Sequence, residues 1–390
     1  MNTDTLSLNL GPQHPSTHGV LRVVLELDGE TVIDARPDIG FLHRGIEKLA
    51  EHRTYHQIIV LTDRLDYLAA LSNNLAYVLT VEKLMDLEVP RRARYVRAAL
   101  AELQRIASHL FWLGTHAHDL GAMTPLFYAL REREALMDIF ENLSGSRLTP
   151  SFLRVGGLAA DIDERFVESV RNFTDTFQGR VDEYETLLTQ NPIWRSRTKG
   201  VGVLDAGQCI RLGISGPMLR SAGVPLDLRK TQPYSCYDEF HFEIPTGKAG
   251  DVYDRYLVRI REMRESARIA RQAVDGLPEG PWTAAGSPPV FPAKEDLKHN
   301  ITAVIRHFGL VMEGMKPPPG EVYHAVESPR GELGFYLVSD GGPYPVRLKV
   351  RPPSFVNLQG LVKMVRGRLL ADVWPSSGPW TSCWPRWTGR

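Results

Sequence analysis

The apolar positions of this chain change period twice along its length. Leu6, Leu8 and Leu10 alternate with polar neighbours, and Val20 to Leu27 reads Val-Leu-Arg-Val-Val-Leu-Glu-Leu. After Asp28-Gly29-Glu30 the β-branched character resumes at Thr31-Val32-Ile33. This predicts a hairpin turning at Asp-Gly, with a third strand before it. From Gly45 the spacing becomes helical. Ile58, Leu61, Leu65, Leu68, Leu71, Leu75 and Val78 predict one helix of about seven turns. Further helices are expected over Arg91 to Leu113, over a segment opening at Thr124-Pro125 and closing at Gly145, over Phe166 to Leu188, and over Val252 to Leu277. Five long helices in succession suggest a bundle core. Residues 191–250 are glycine-rich and read as loops, and Pro278 to Pro292 as a linker. A helix near Leu297–Val311 then gives way to strands at 321–324, 334–338 and 346–350, with Asp340-Gly341-Gly342-Pro343 turning between the last two. The fold class is therefore α+β: a small N-terminal β-domain (1–45), a helical core with irregular and C-terminal β segments (46–373), and a tail (374–390) that fits neither period.

Composition narrows the function classes. Lys+Arg and Asp+Glu both number 46 in 390 residues, so no net charge draws the chain to nucleic acid. Cys209, Cys236 and Cys383 lie far apart and form no CxxC pair, which argues against a disulfide framework and against a metal or iron–sulfur site built by this chain alone. No run of 18 apolar residues is present, and the N-terminus lacks the basic and apolar regions of a signal peptide. Membrane association is expected to go through partners.

Candidate chemistry is confined to a few places. Gly11-Pro12-Gln13-His14-Pro15-Ser16-Thr17-His18-Gly19 is too rich in proline and glycine for a helix, so His14 and His18 belong to a stiff loop between strands, either a rigid turn or a pocket wall. Asp63-Arg64-Leu65-Asp66-Tyr67 places polar residues inside the first long helix, in an otherwise apolar segment. Its tyrosine needs a hydrogen-bond partner if buried and can donate a proton, and Arg64 beside Asp63 reads as an ion pair. Thr115-His116-Ala117-His118-Asp119 ends the second helix. His116 and His118 are two apart and should point to different faces, which disfavours a metal pair. Asp119, if buried, needs a cationic or donor partner. No Ser/His/Asp order, phosphate loop or HExxH is present. The residues by themselves give a pocket and no reaction.

Several stretches together carry a resemblance. They are Gly11 to Gly19, Phe41-Leu42-His43-Arg44-Gly45-Ile46-Glu47-Lys48, Asp63 to Tyr67, Arg131-Glu132-Arg133-Glu134, Gly331-Glu332-Leu333-Gly334 and Pro353-Ser354-Phe355-Val356-Asn357-Leu358. In this order, from about Leu6 to Val373, they resemble the D-type subunit of NADH-quinone oxidoreductase (respiratory complex I), a family related in fold to the [NiFe]-hydrogenase large subunit. The resemblance implies a peripheral protein on the cytoplasmic face of a bacterial membrane that encloses a quinone head-group together with a small [4Fe–4S] subunit. It implies that His18 and Tyr67 hydrogen-bond the quinone oxygens, that Asp119 partners that histidine, and that Arg44 lies near the partner's terminal cluster. The clusters, FMN and NADH would belong to partners, among them the C-type subunit, the ferredoxin-like cluster subunit and the membrane quinone-channel subunit. A donor module taking NADH or ferredoxin would feed electrons to quinone, coupled to proton translocation. Reducing a quinone by two electrons creates negative charge that a phenol and a His–Asp pair can meet with protons.

Two positions depart from the family. A histidine that the family usually carries, associated with pH-dependent reduction of the cluster, is here Thr149, which cannot titrate near neutral pH. The tail Val373 to Arg390 holds four of the seven tryptophans, whereas family members close on an apolar segment ending Glu-Val-Asp-Arg or similar. Back-translated one base out of frame, the tail can read Val-Val-Ala-Ile-Ile-Gly-Ser-Leu-Asp-Val-Val-Leu-Ala-Glu-Val-Asp-Arg before a stop. A frameshift, in the gene or its sequencing, is the expectation, and the intact mass of the C-terminal peptide decides it. Two rivals follow. An active [NiFe] hydrogenase needs two pairs of cysteine thiolates, which three scattered cysteines cannot supply. A non-catalytic assembly scaffold is opposed by His18, Tyr67 and Asp119 occurring together, and is kept open by the altered tail.

Overall fold

The computed structural model describes residues 5–13, 21–284, 291–292 and 294–376. His14, His18, Cys383 and the tail beyond Ser376 lie outside the described residues, as does most of the second half of the proline-rich segment. The architecture is α+β. Strands β1 (Leu6–Leu10), β2 (Arg22–Asp28) and β3 (Thr31–Asp38) form an antiparallel sheet in that order, with Leu10 opposite Val23 and Asp28 opposite Thr31 across the Asp-Gly bend. Val23, Leu25, Leu27 and Val32 are buried on one face. That face is covered by residues from two distant parts of the chain: Leu204, Cys209, Ile214, Met218 and Leu219, and Leu358, Leu361, Met364, Val365 and Val373.

Helices α1 (Ile46–Ala50), α2 (Tyr55–Thr62) and α3 (Ala70–Met85) follow. The single long helix expected over residues 58–79 is broken at Asp63–Ala69. Short polar side chains there take the backbone bonds a helix would use. Leu68 N donates to Asp66 Oδ1 (3.1 Å), while Leu65 N and Ala69 N make tight bonds to Thr62 O (3.2 Å) and Asp66 O (3.0 Å). Thr62 Oγ1 donates to Asn74 Oδ1 (2.9 Å), tying the two helices across the break.

The bundle is made of α4 (Arg91–Asp119), α5 (Thr124–Ser144), α6 (Glu164–Leu188) and, later in the chain, a 24-residue helix over Val252–Asp275. Neighbouring members pack α4 on α5, α5 on α6, and the last helix on both α4 and α6. Thr124 proves to be the first helical residue rather than the cap, a one-residue shift, and Gly145 closes α5 in the left-handed region as expected (φ 75°). A two-residue hairpin, β4 (Leu153–Arg154) with β5 (Gly157–Leu158), precedes α6.

The region expected as loops contains four short helices, α7 (Pro192–Thr198), α8 (Ala206–Arg211), α9 (Pro217–Ser221) and α10 (Leu228–Thr231). Their signals were local. Asn191, Asp205 and Asp227 each accept a backbone N–H at a helix start, and prolines stand at the openings of α7 and α9. The 252–275 helix is α11. The helix expected over 297–311 divides into α12 (Asp296–His299) and α13 (Ile301–Met312) at Asn300, whose side chain caps α13 through Thr302 N (3.0 Å) and Ala303 N (3.3 Å). Strands β6 (Gly320–Ser328), β7 (Gly331–Ser339) and β8 (Arg347–Arg351) form the C-terminal antiparallel sheet, against which α3 packs. Helices α14 (Pro353–Asn357) and α15 (Leu361–Val365) follow, α14 against β7 and α15 against β3.

Candidate functional site

The break between α2 and α3 is where the site is best defined. Asp63 is buried beside Arg64, whose Nη1 donates to Asp63 Oδ1 at 2.8 Å and to Val60 O at 2.9 Å, the ion pair expected from the sequence. Burial pushes the Asp63 carboxyl up to about 6 against the pull of Arg64. Arg44, exposed just before α1, donates from Nη2 to Arg64 O at 3.4 Å, so two predicted site segments meet here. Tyr67 is half-buried on the same break. Its neighbour Asp66 is buried, with Oδ1 accepting from Leu68 N and Oδ2 accepting from Arg330 Nη1. Two guanidiniums lie within electrostatic reach of the Tyr67 phenol: Arg330, in the turn between β6 and β7, and Arg133 on α5. Each carries a buried N–H with no hydrogen-bond partner among the described residues, Nη2 on Arg330 and Nε on Arg133. Arg133 also stacks over Phe111 at 5.4 Å.

Asp119 is the last residue of α4 and half-buried. His116, one turn earlier, is fully buried, stacked on Trp112 (5.2 Å) and edge-on to Trp194 (5.6 Å). His118 points outward, so the two histidines face differently, as their spacing required. Burial, aided by Arg259 and Arg255, drives His116 down to about 3, leaving it neutral. The structure therefore brings Arg44 to the Tyr67 break and sets Asp119 at a helix end; His18 lies outside the described residues.

Behind the site runs a buried charged seam that inspection of the sequence missed. Along α4, Glu102, Arg105, His109 and His116 face α11, which contributes Arg255, Arg259, Glu262 and Ser266. His109 Nε2 lies 2.9 Å from Glu262 Oε2, and Arg220 joins Glu262 (2.8 Å) to Glu327 (2.7 Å). Glu102 accepts from Arg105 (3.1 Å), Arg229 (2.9 Å), Tyr237 (2.6 Å) and Ser266 (2.7 Å). Burial alone would raise Glu102, but Arg105 and Arg229 with the two hydroxyls outweigh it and hold the carboxyl down to about 2. Burial brings His109 down to about 4 in spite of Glu262. Glu102 and Glu262 are held ionised by the arginines around them, whereas burial pushes Glu327 up and Arg255 and Arg259 down. The seam's signal was present as polar residues at steps of three and four inside an apolar helix.

Among the described residues, no group of three or more His, Cys, Asp and Glu side chains is placed to hold a metal ion, and no helix is long and apolar enough to cross a membrane. Cys209 and Cys236 are buried free thiols.

Comparison with known proteins assigns this arrangement to a family. Residues 119–385 match the family described as respiratory-chain NADH dehydrogenase, 49 Kd subunit. Over 372 residues the chain is 55% identical to the D-type subunit of NADH-quinone oxidoreductase from Geotalea uraniireducens and 53% identical to that from Geobacter sulfurreducens, each match covering 95% of both chains. It is 56% identical over 373 residues to the second of the numbered D-type subunits of NADH-quinone oxidoreductase from a Roseiflexus species, covering 95% of this chain and 89% of that protein. The chain belongs to the 49 kDa (D-type) subunit family of respiratory-chain NADH dehydrogenases.

Proposed function

We propose that this chain is the quinone-site subunit of a proton-translocating NADH:quinone oxidoreductase, folded like a [NiFe]-hydrogenase large subunit and active only in the assembled complex. The observation that carries the reading is family membership over 95% of the chain. It is supported by the setting of Tyr67 on a polar helix break within reach of two guanidiniums. In this reading residues 1–45 present the loop with His18, and residues 46–373 supply Tyr67 and Asp119. Tyr67 and His18 donate hydrogen bonds and protons to the quinone oxygens, Asp119 partners His18, and Arg44 lies toward the cluster of the small [4Fe–4S] subunit. FMN, NADH and the clusters reside on partner chains. The protein sits peripherally on the cytoplasmic face of the membrane, beside the quinone-channel subunit.

The test is Tyr67→Phe in the assembled complex. Removing a positioned proton donor is expected to lower quinone reduction about 100-fold or more, while NADH-driven reduction of a hydrophilic acceptor such as hexacyanoferrate is retained. Equal quinone reduction by wild type and variant would leave this chain the role of a scaffold.

A further inference from the structure

What holds Tyr67 in place is spelled out by its neighbours, and the inference drawn from them rests on the quinone-site reading of that residue. One carboxylate spans the phenol's own backbone: Asp66 accepts Leu68 N on one oxygen (3.1 Å) and Arg330 Nη1 on the other. The orientation of residue 67 is therefore tied to a residue 264 positions beyond its neighbour Asp66. Arg330 has little freedom of its own. Its carbonyl accepts from Asn357 Nδ2 (3.2 Å), its N–H points to Ser328 Oγ (3.4 Å), and the next strand is held by Glu332 N donating to Ser215 Oγ (3.0 Å). The turn also presses on the 215–216 backbone so closely that a Cβ at Gly216 would stand 2.6 Å from Arg330 O.

The Asp66–Arg330 pair is almost dry, with 11% side-chain exposure on each partner, and a small cavity lined by Asp66, Asn73, Ser328, Arg330 and Ser354 adjoins it. A pair buried to this degree is not an economical way to stabilise a fold, since apolar residues of similar volume do as well. It leaves Arg330 Nη2 without a partner among the described residues. We infer that Arg330 is a positioning residue for Tyr67: through Asp66 it fixes the phenol's orientation, and its charge stabilises the oxygen that Tyr67 exposes on giving up a proton. In that step the Tyr67 O–H bond breaks and the proton bonds to a quinone oxygen already reduced by electrons from the partner's iron–sulfur cluster. The resulting phenolate sits beside a guanidinium, where its negative charge costs less than in an uncharged interior, and a proton from water later restores the phenol.

The experiment compares Arg330→Gln, Arg330→Lys, Asp66→Asn and Tyr67→Phe in the assembled complex. It reads kcat and KM for a short-chain quinone, with NADH-driven hexacyanoferrate reduction as the gauge of assembly. Arg330→Gln is expected to lower kcat by about 10-fold or more with KM within about threefold, the pattern of an interaction made in the transition state. Arg330→Lys is expected to recover most of kcat, which a merely space-filling role would not require. Wild-type kcat in assembled Arg330→Gln, or a Lys variant as slow as Gln, overturns the inference. Should Arg330→Gln fail to assemble, Asp66→Asn decides: a comparable loss of kcat supports it, an unchanged kcat overturns it. Tyr67→Phe with unchanged turnover removes the quinone-site reading itself. An impaired Tyr67→Phe beside an unaffected Arg330→Gln removes only the role of Arg330.

Discussion

Single buried residues make this protein sensitive to acid in a way that can be assigned. His109 titrates at about 4 and His116 at about 3 in the folded chain, against 6.5 for an unperturbed imidazole. Between those values the unfolded chain binds protons that the folded chain does not, so stability falls as pH drops from 6.5 toward 4 and levels off once the folded residues protonate too. Mid-window the slope is about 1.4 kcal/mol per pH unit for each histidine. Asp63, raised to about 6, works with the opposite sign: the folded state binds its proton first, so its contribution is present at low pH and is lost as pH rises from 3.8 through 6. Hydrogen exchange of α4 amides in the assembled complex, corrected for intrinsic rates, should show His109→Gln with an acid slope smaller by about that one-proton amount. An identical slope would mean that His109 charges without unfolding. Thr149, half-buried beyond α5, leads to a separate expectation under the proposed function: the potential of the cluster proposed for the small partner subunit should vary less with pH here than in a histidine-bearing relative, and a potentiometric titration with equal slopes would refute it. At this scale the sequence was partly readable. Tyr67 and Arg44 stood out because they sit in motifs several residues long, and Asp119 because it follows two histidines at a helix end. Arg330 did not, because its meaning comes from Asp66, and no local pattern connects the two.

Elements show the same division between local and distant causes. The long helices were legible because each repeats an apolar stripe over many turns, and the hairpin because Asp28-Gly29 separates two β-branched runs. The break at Asp63–Ala69 was not, since the apolar period passes straight through it; the deciding bonds are made by Asp66 and by Thr62 to Asn74. The seam between α4 and α11 follows the logic of buried charge, in which the pair matters less than what removing one member leaves behind. Glu262→Gln would leave Arg220 with Glu327 and Asp227 as its carboxylates and take the charged acceptor from His109, a loss of about 1–3 kcal/mol, visible as a lower thermal midpoint or reduced yield of assembled complex. Gly216 lies at φ 70°, ψ −151°, a region that essentially only glycine adopts, at a cost of about 1–3 kcal/mol for other residues. Gly216→Ala adds a Cβ 2.4 Å from Gly331 Cα, so the β6–β7 turn must shift and carry Arg330 with it. Quinone turnover should therefore fall further in Gly216→Ala than in alanine variants of equal stability loss elsewhere. Matching losses would show that the turn tolerates the shift.

Among the described residues, α13 presents a surface that the interior does not explain. On α13 only Ala303 is buried, while Ile301, Ile305, Phe308 and Met312 are 65–72% exposed at helical spacing. Contiguous apolar surface of this kind makes chains associate. Ile305→Lys with Phe308→Glu should raise the soluble fraction of the chain made without partners while leaving its circular dichroism unchanged. Unaltered solubility would mean that the stripe is covered. Domain organisation was the least legible feature, because contacts between distant segments leave no periodic mark. The N-terminal sheet reads as a self-contained unit, yet its buried face is completed by Leu204 to Leu219 and by Leu358 to Val373. That arrangement sets a timetable for synthesis. Three strands made first emerge with Val23, Leu25 and Leu27 unsheltered, and their last covering is translated more than 300 residues later. Until then the nascent chain carries a hydrophobic sheet with nothing to close it, the condition in which chains misassemble or recruit chaperones. Pausing or truncating translation before Leu358 should therefore leave products whose first forty residues are open to protease, though every residue of that sheet has long been made.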